Sequence, residues 1–122
     1  MEAHLDPFMT ALGFTGEIPA PGEALVQVQL GPEHLNNWGS AHGGLLFTLA
    51  DSAFALASNS HGPLAVSLSA HMEYFKPSRP GDRIEARARE VSLTRRTGVY
   101  QVEVLCAGAL IALFTGTVYR KG

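Results

Sequence analysis

Residues 34–60, HLNNWGSAHGGLLFTLADSAFALASNS, decide the fold. A polar segment with several glycines gives way at Leu45 to an apolar run that continues to Ala57. Leu, Ala and Phe dominate the run, proline is missing and β-branching is scarce, so helix is favoured. The run is apolar nearly all round, as in a helix buried inside a fold rather than lying on its surface. It is too short to cross a bilayer, which takes ~20 apolar residues.

One acid interrupts this helix. An ionised carboxylate in apolar surroundings is costly unless it is paired or used. In the plain reading, Asp51 bonds to the hydroxyls of Ser52 or Thr48, or turns to solvent. In the functional reading it is a desolvated carboxylate acting as general base or nucleophile. Just upstream stands Ala41-His42-Gly43-Gly44. Glycines allow close approach to the backbone. The first N–H groups of a helix lack internal acceptors and carry the positive end of its dipole. Such a helix start suits an anion or a developing oxyanion. A plain loop-to-helix junction is the alternative, and the neighbouring acid argues against it.

Working outward, Ser58-Asn59-Ser60-His61-Gly62-Pro63 ends the helix near Asn59. Before the helix, 24–30 alternates apolar and polar residues as a half-buried strand does, and Gly31-Pro32 breaks it. Residues 34–40 are loop, and 14–23 read as loop with at most a short extended piece. Residues 6–13 suggest a short helix with Asp6 as cap, Pro7 at its first position, Gly13 as its end, and Phe8, Met9 and Leu12 on its apolar face. After the long helix come strands at 64–75, 83–93, 99–106 and 109–119, with Gly116 a candidate bulge. Their short connections suggest an antiparallel meander. A single apolar helix ahead of such a meander has to be covered by the sheet. The expected fold is α+β, one antiparallel sheet wrapped around one long central helix, with a short N-terminal helix.

The 122 residues indicate a single domain spanning 1–122. Hydrophobic residues make up 46% and charged residues 16%, an apolar excess that suggests subunits burying surface against one another. A net charge of −2 supplies no basic field for nucleic acid. Cys106 is the one cysteine, so no disulfide framework exists. The start of the chain is polar and broken by Pro7, with no signal or membrane segment, and we expect a cytoplasmic protein. Five histidines and one cysteine show no metal-ligand spacing.

Asn36, His42-Gly43-Gly44, Leu49-Ala50-Asp51 and Ala57-Ser58-Asn59-Ser60 together resemble the hotdog-fold acyl-CoA thioesterases, in particular the phenylacetate-degradation type. The resemblance covers roughly residues 20–120, and the H-G-G-x6-A-D run is fairly specific where it opens a long apolar helix followed by strands. It implies hydrolysis of an aryl-acetyl or short acyl-CoA, with coenzyme A part of the substrate and no separate cofactor. It gives the oxyanion to the Gly43 N–H and the base or nucleophile work to Asp51. Asn36 would help hold the carbonyl or a water. A strand hydroxyl would orient the attacking water: Ser67 first and Ser69 second, since residues two apart share a strand face. His42 is expected to fix the loop, and Gly44, Tyr74, Lys76, Arg79, Arg95 and Arg96 complete the substrate-binding candidates. Any one of these basic residues reads more readily as a solvated turn charge, and only as a cluster do they suggest phosphate contact.

Gly43 and Asp51 lie eight residues apart, ~12 Å along a helix axis. One thioester carbonyl does not span that gap, so a homodimer with shared sites is expected, and the family habit adds a dimer of dimers. The rival readings are a dehydratase or hydratase on the same fold, which would place His42 beside Asp51, and a non-catalytic acyl-CoA-binding module.

Overall fold

The computed structural model describes residues 3–121. A short helix α1 (Pro7–Ala11) leads into strands β1 (Thr15–Glu17) and β2 (Glu23–Gln29). A single 3-10 turn (Pro32–His34) and a loop precede the long helix α2 (Gly43–Ser58). Strands β3 (Ala65–Tyr74), β4 (Arg83–Leu93), β5 (Thr97–Cys106) and β6 (Ala109–Arg120) follow. All six strands form one antiparallel sheet in the order β1-β2-β4-β5-β6-β3.

The sheet curls around α2 because one face of each inner strand is small and apolar. Ala24, Val26 and Val28 of β2, Ile84, Ala86 and Ala88 of β4, and Val102 and Val104 of β5 are all buried. They meet Leu49, Ala50, Ala53, Phe54 and Ala57 of the helix, also buried. Phe54 is the largest helix residue in this core, with ring centroids 5.9 Å from Tyr100 and 5.3 Å from Phe114. Its ring lies against Gly116, where an added Cβ would stand 2.7 Å from the Phe54 ring tip. Gly116 is therefore not a bulge: its pairing with Ala70 and Tyr100 is in continuous register, and the missing side chain makes room for Phe54. The register shifts fall instead at Ser67/Ser69, Glu90/Ser92 and Val104/Leu105.

Three other expectations need correction. The last four strands are not one meander. β4-β5-β6 is, but β3 pairs with β6 and forms an outer edge, so residues 75–82 carry the chain from that edge back to the interior. Pro77 and Pro80 make this link an extended connector rather than a hairpin turn. The expected apolar face of α1 is also incomplete, since Met9 is buried while Phe8 is 61% exposed. Lastly, a 3-10 turn forms at Pro32–His34, where only a strand break and loop were expected, while β1 is the short extended piece allowed within 14–23. On β3 Ala65 alone is buried, and Leu68, Tyr74 and the adjoining Phe75 are exposed.

Candidate active site

The start of α2 is fixed by His42, as expected. It is the N-cap in extended conformation (φ −63°, ψ 135°), and its Nδ1 accepts the Gly44 N–H at 2.8 Å. A side chain at Gly44 would press to 3.0 Å from that nitrogen, so the glycine is what lets the ring fold back. An accepting Nδ1 leaves the imidazole neutral, with its hydrogen on Nε2. The His42 carbonyl accepts the N–H groups of Leu45 and Leu46 at 2.9 and 3.2 Å. Among the described residues, Gly43 is thus the one first-turn amide of α2 without an acceptor. The motif alone suggests that role for Gly43, and the capping pattern supplies its physical reason.

Gly43 opens onto a pocket of about 360 Å³ that it shares with Asn36, Leu46, Tyr74, Phe75 and Lys76. The structure so brings together four predicted residues: Asn36, Gly43, Tyr74 and Lys76. The Asn36 side-chain oxygen accepts the N–H groups of Trp38 (2.9 Å) and Ser40 (3.1 Å), closing its own loop. That leaves the Asn36 side-chain nitrogen as a donor. The Tyr74 hydroxyl donates to the Gly43 carbonyl, and burial pushes the phenol above its usual pKa.

Asp51 is half-buried, and burial raises its carboxyl above the ordinary aspartate pKa, with the charge of Asp6 adding to the effect. The hydroxyl arm of the plain reading fails, because both hydroxyls are engaged elsewhere, while half-exposure leaves the solvent arm standing within a single chain. The Thr48 hydroxyl donates to the Gly44 carbonyl (2.8 Å) and the Ser52 hydroxyl to the Thr48 carbonyl (2.6 Å). Among the described residues no group hydrogen-bonds the Asp51 carboxylate. The helix is not apolar on every side. Gly44, Thr48, Asp51 and Ala55, spaced four, three and four apart, form a stripe that the sheet does not fully cover.

The two strand serines do not share a face. Leu68 is the extra residue of the bulge, so Ser67 stands opposite Val118 and Ser69 opposite Thr117, neighbours that point to opposite sides. Val118 faces the core, which puts Ser67 on the helix side with Met72 and Tyr74, and Ser69 on the outer side. Nor do the four basic candidates form one cluster. Lys76 and Arg79 follow the C-terminal end of β3, whereas Arg95 and Arg96 occupy the β4–β5 turn at the far end of the sheet. There Arg96 bonds the Tyr119 hydroxyl at 2.9 Å, beside the start of β3.

Two polar groups carry no sequence signal. His34 is buried, accepts the Gly31 N–H on Nδ1 (2.9 Å) and donates from Nε2 to the Leu12 carbonyl (2.8 Å). Its own carbonyl accepts the His42 N–H at 2.8 Å, so it ties α1 to the start of α2. Beyond the C-terminal end of α2, Glu90 accepts from His61 (2.6 Å) and from the buried Tyr100 hydroxyl (2.8 Å). Burial works to raise the Glu90 carboxyl, but these two bonds and the nearby His61 and Arg120 charges hold it below its usual pKa. This cluster lies at the opposite end of α2 from Gly43. Among the described residues no three His, Cys, Asp or Glu side chains gather as a metal set, and no helix is long and apolar enough to cross a membrane.

The sheet curled about one long helix is a hotdog fold, and the unclaimed amide at the helix start and the half-buried carboxylate some two turns further on are the groups that the thioesterase resemblance singles out. Comparison with known proteins agrees. Residues 39–111 match the model of the thioesterase superfamily, and the chain belongs to that family. It is 48% identical over 100 residues to a putative esterase of Archaeoglobus fulgidus, covering 81% of this chain and 65% of that protein. It is 38% identical over 102 residues to the acyl-coenzyme A thioesterase PaaI of Escherichia coli, covering 83% of this chain and 73% of that one. Its fold superposes on a mutant of the phenylacetic acid degradation protein PaaI from Thermus thermophilus with a TM-score of 0.91 at 59% identity, covering 94% of this chain and 99% of that one.

Proposed function

We propose that the chain hydrolyses aryl-acetyl-CoA or short acyl-CoA thioesters to the free acid and coenzyme A, at a site shared between two copies. That it is an acyl-CoA thioester hydrolase follows from its family and from relatives of that activity at 38% and 31% identity. The phenylacetyl preference is supported by the names of the PaaI relatives.

One observation carries the mechanism: Gly43, whose N–H has no acceptor among the described residues, lines a pocket together with Asn36. In one copy these two donors hold the thioester carbonyl oxygen as negative charge gathers on it. Asp51 and Ser67 come from the second copy. The Asp51 carboxylate takes a proton from water as the water oxygen bonds to the carbonyl carbon. The tetrahedral adduct then collapses, the C–S bond breaks, and the departing thiolate recovers a proton from Asp51. Desolvation suits Asp51 to this, because a raised pKa makes a stronger base. Direct attack by the carboxylate would give a mixed anhydride instead; single-turnover hydrolysis in labelled water separates the two, since label would then enter the enzyme carboxylate first.

Two features support the shared site. Gly43 and Asp51 stand ~12 Å apart along α2. Among the described residues the outer edge of β3 has no strand partner, and it carries exposed Val66 and Leu68, a surface for pairing with a second β3. A further pairing of dimers into a tetramer rests on the family resemblance alone. A CoA-ester substrate and a single cysteine suit a cytoplasmic setting. The dehydratase reading loses ground because the His42 Nδ1 is engaged by Gly44.

The test is thiol release across aryl and alkyl CoA esters, with Asp51→Ala as control. Wild-type turnover with a loss of about 10²–10⁴-fold in the variant is expected. No thiol release from any ester, or a variant as fast as wild type, overturns the proposal.

A further inference from the structure

The extended lead-in to α2 separates two pockets. Ala41 and Gly43 line the one described above, while His42 and Gly44 line a second, of about 300 Å³, between α1 and α2. The chain passes from extended at His42 to helical at Gly43, and over this turn successive residues face different pockets. A thioester has two arms, the acyl group and the phosphate-bearing CoA. A carbonyl held at Gly43 stands where these arms can part into the two pockets.

Charge distinguishes them. Lys76 lines the first pocket, and exposed Arg79 follows on the same link. The second pocket has no lysine or arginine in its lining, and its one acid is Glu33. Its two histidines, His34 and His42, each accept a backbone N–H on Nδ1 and are neutral. Phe8, Leu12, Leu35 and Leu45 supply apolar walls. A CoA arm leaving through this pocket would carry its distant phosphates past a carboxylate and away from Lys76 and Arg79, while a hydrocarbon would meet its own kind. Resting on the thioesterase reading, we infer that the acyl group occupies the pocket between α1 and α2, and that Phe8 and Leu12 set the size of acyl group accepted. This gives a reason for Phe8 standing 61% exposed at the pocket. The volume of about 300 Å³ is at the small end of ligand pockets, ~300–1,000 Å³, enough for a single ring or a short chain.

The test is calorimetric binding of CoA, S-acetonyl-CoA and S-phenacyl-CoA, thioethers that no hydrolase cleaves. Wild type should bind the phenacyl compound more tightly than the acetonyl one. Leu12→Trp, which fills the pocket, should shrink that preference at least about tenfold while CoA itself still binds. Phe8→Ala, at an exposed position that keeps the fold, should shrink it severalfold. The inference is overturned if wild type shows no preference, if both variants keep it, or if Phe75→Ala in the first pocket abolishes it instead. Should the preference follow Leu12 while no ester is hydrolysed, the acyl pocket stands and the thioesterase reading falls. Should esters be hydrolysed while the preference ignores Leu12 and Phe8, the pocket assignment alone falls.

Discussion

The Tyr74 hydroxyl donates to the Gly43 carbonyl at 3.0 Å, tying the last residue of β3 to the first residue of α2. The strand edge proposed to meet a second copy is therefore bonded to the helix start proposed to hold the oxyanion. Tyr74→Phe removes a bond of about 1 kcal/mol and loosens Gly43. Because the oxyanion forms in the transition state, kcat should fall severalfold with little change in KM. Tyr74 is exposed, so the melting temperature should barely move. Steady-state kinetics with phenylacetyl-CoA checks this, and an unchanged kcat would show that the bond does not position Gly43.

The raised carboxyl of Asp51 makes stability and activity pull apart. In the unfolded chain an aspartate titrates near ~3.9. Between that value and the raised folded one, the native chain keeps a proton the unfolded chain has released. Stability therefore falls as pH rises through that window and stays lower above it. Asp51→Asn removes this cost: it should melt higher than wild type at neutral pH, with the difference closing below the ordinary aspartate range. The same variant should lose hydrolysis. In wild type, kcat/KM should rise along an acid limb that lies above the ordinary carboxylate range, since ionised Asp51 is the working form. Thermal melts and rate profiles over pH test both.

Some of this was legible in the sequence for physical reasons. The long helix shows because an unbroken Leu/Ala/Phe run leaves little alternative, and its start because His-Gly-Gly is local capping chemistry. Strand alternation marks which face is buried but not which strand is the neighbour, so the placement of β3 beside β6 was not readable. The bulge at Leu68 was invisible for a similar reason: one extra residue reverses a face without altering composition. Lys76 and Arg95 look like one cationic set in a chain where turns recur. Opposite ends of long strands keep them apart. His34 gave no signal because the bonds that matter reach across the fold, from its ring to the end of α1 and from its carbonyl to the start of α2.

Gly116 offers a test of the core that does not touch the site. A methyl group there would lie 2.7–2.9 Å from three atoms of the Phe54 ring, which is itself wedged against Tyr100 and Phe114. The ring has little room to withdraw, and overpacking of this kind costs typically about 1–3 kcal/mol. Gly116→Ala should therefore lower the melting temperature by several degrees. Pairing it with Phe54→Leu should recover part of the loss, because a smaller side chain frees the space. Denaturation of the single and double variants checks this; additive losses would mean that the clash is relieved elsewhere.

The shared site makes a prediction that no single-chain site can meet. Gly43→Pro deletes the unclaimed N–H at the first helical position, where proline is tolerated, and His42 before it is already extended. Asp51→Ala deletes the base. Each variant alone should be inactive. When equal amounts are mixed and subunits exchange, half the dimers become mixed. Each mixed dimer holds one site with an intact Gly43 from one copy and an intact Asp51 from the other, beside one site lacking both. Activity should return to about a quarter of wild type by random pairing in a two-fold dimer. Native mass spectrometry monitors the exchange and thiol release the recovery. Mixed dimers present without activity would place Gly43 and Asp51 of the same chain in one site, against the ~12 Å between them.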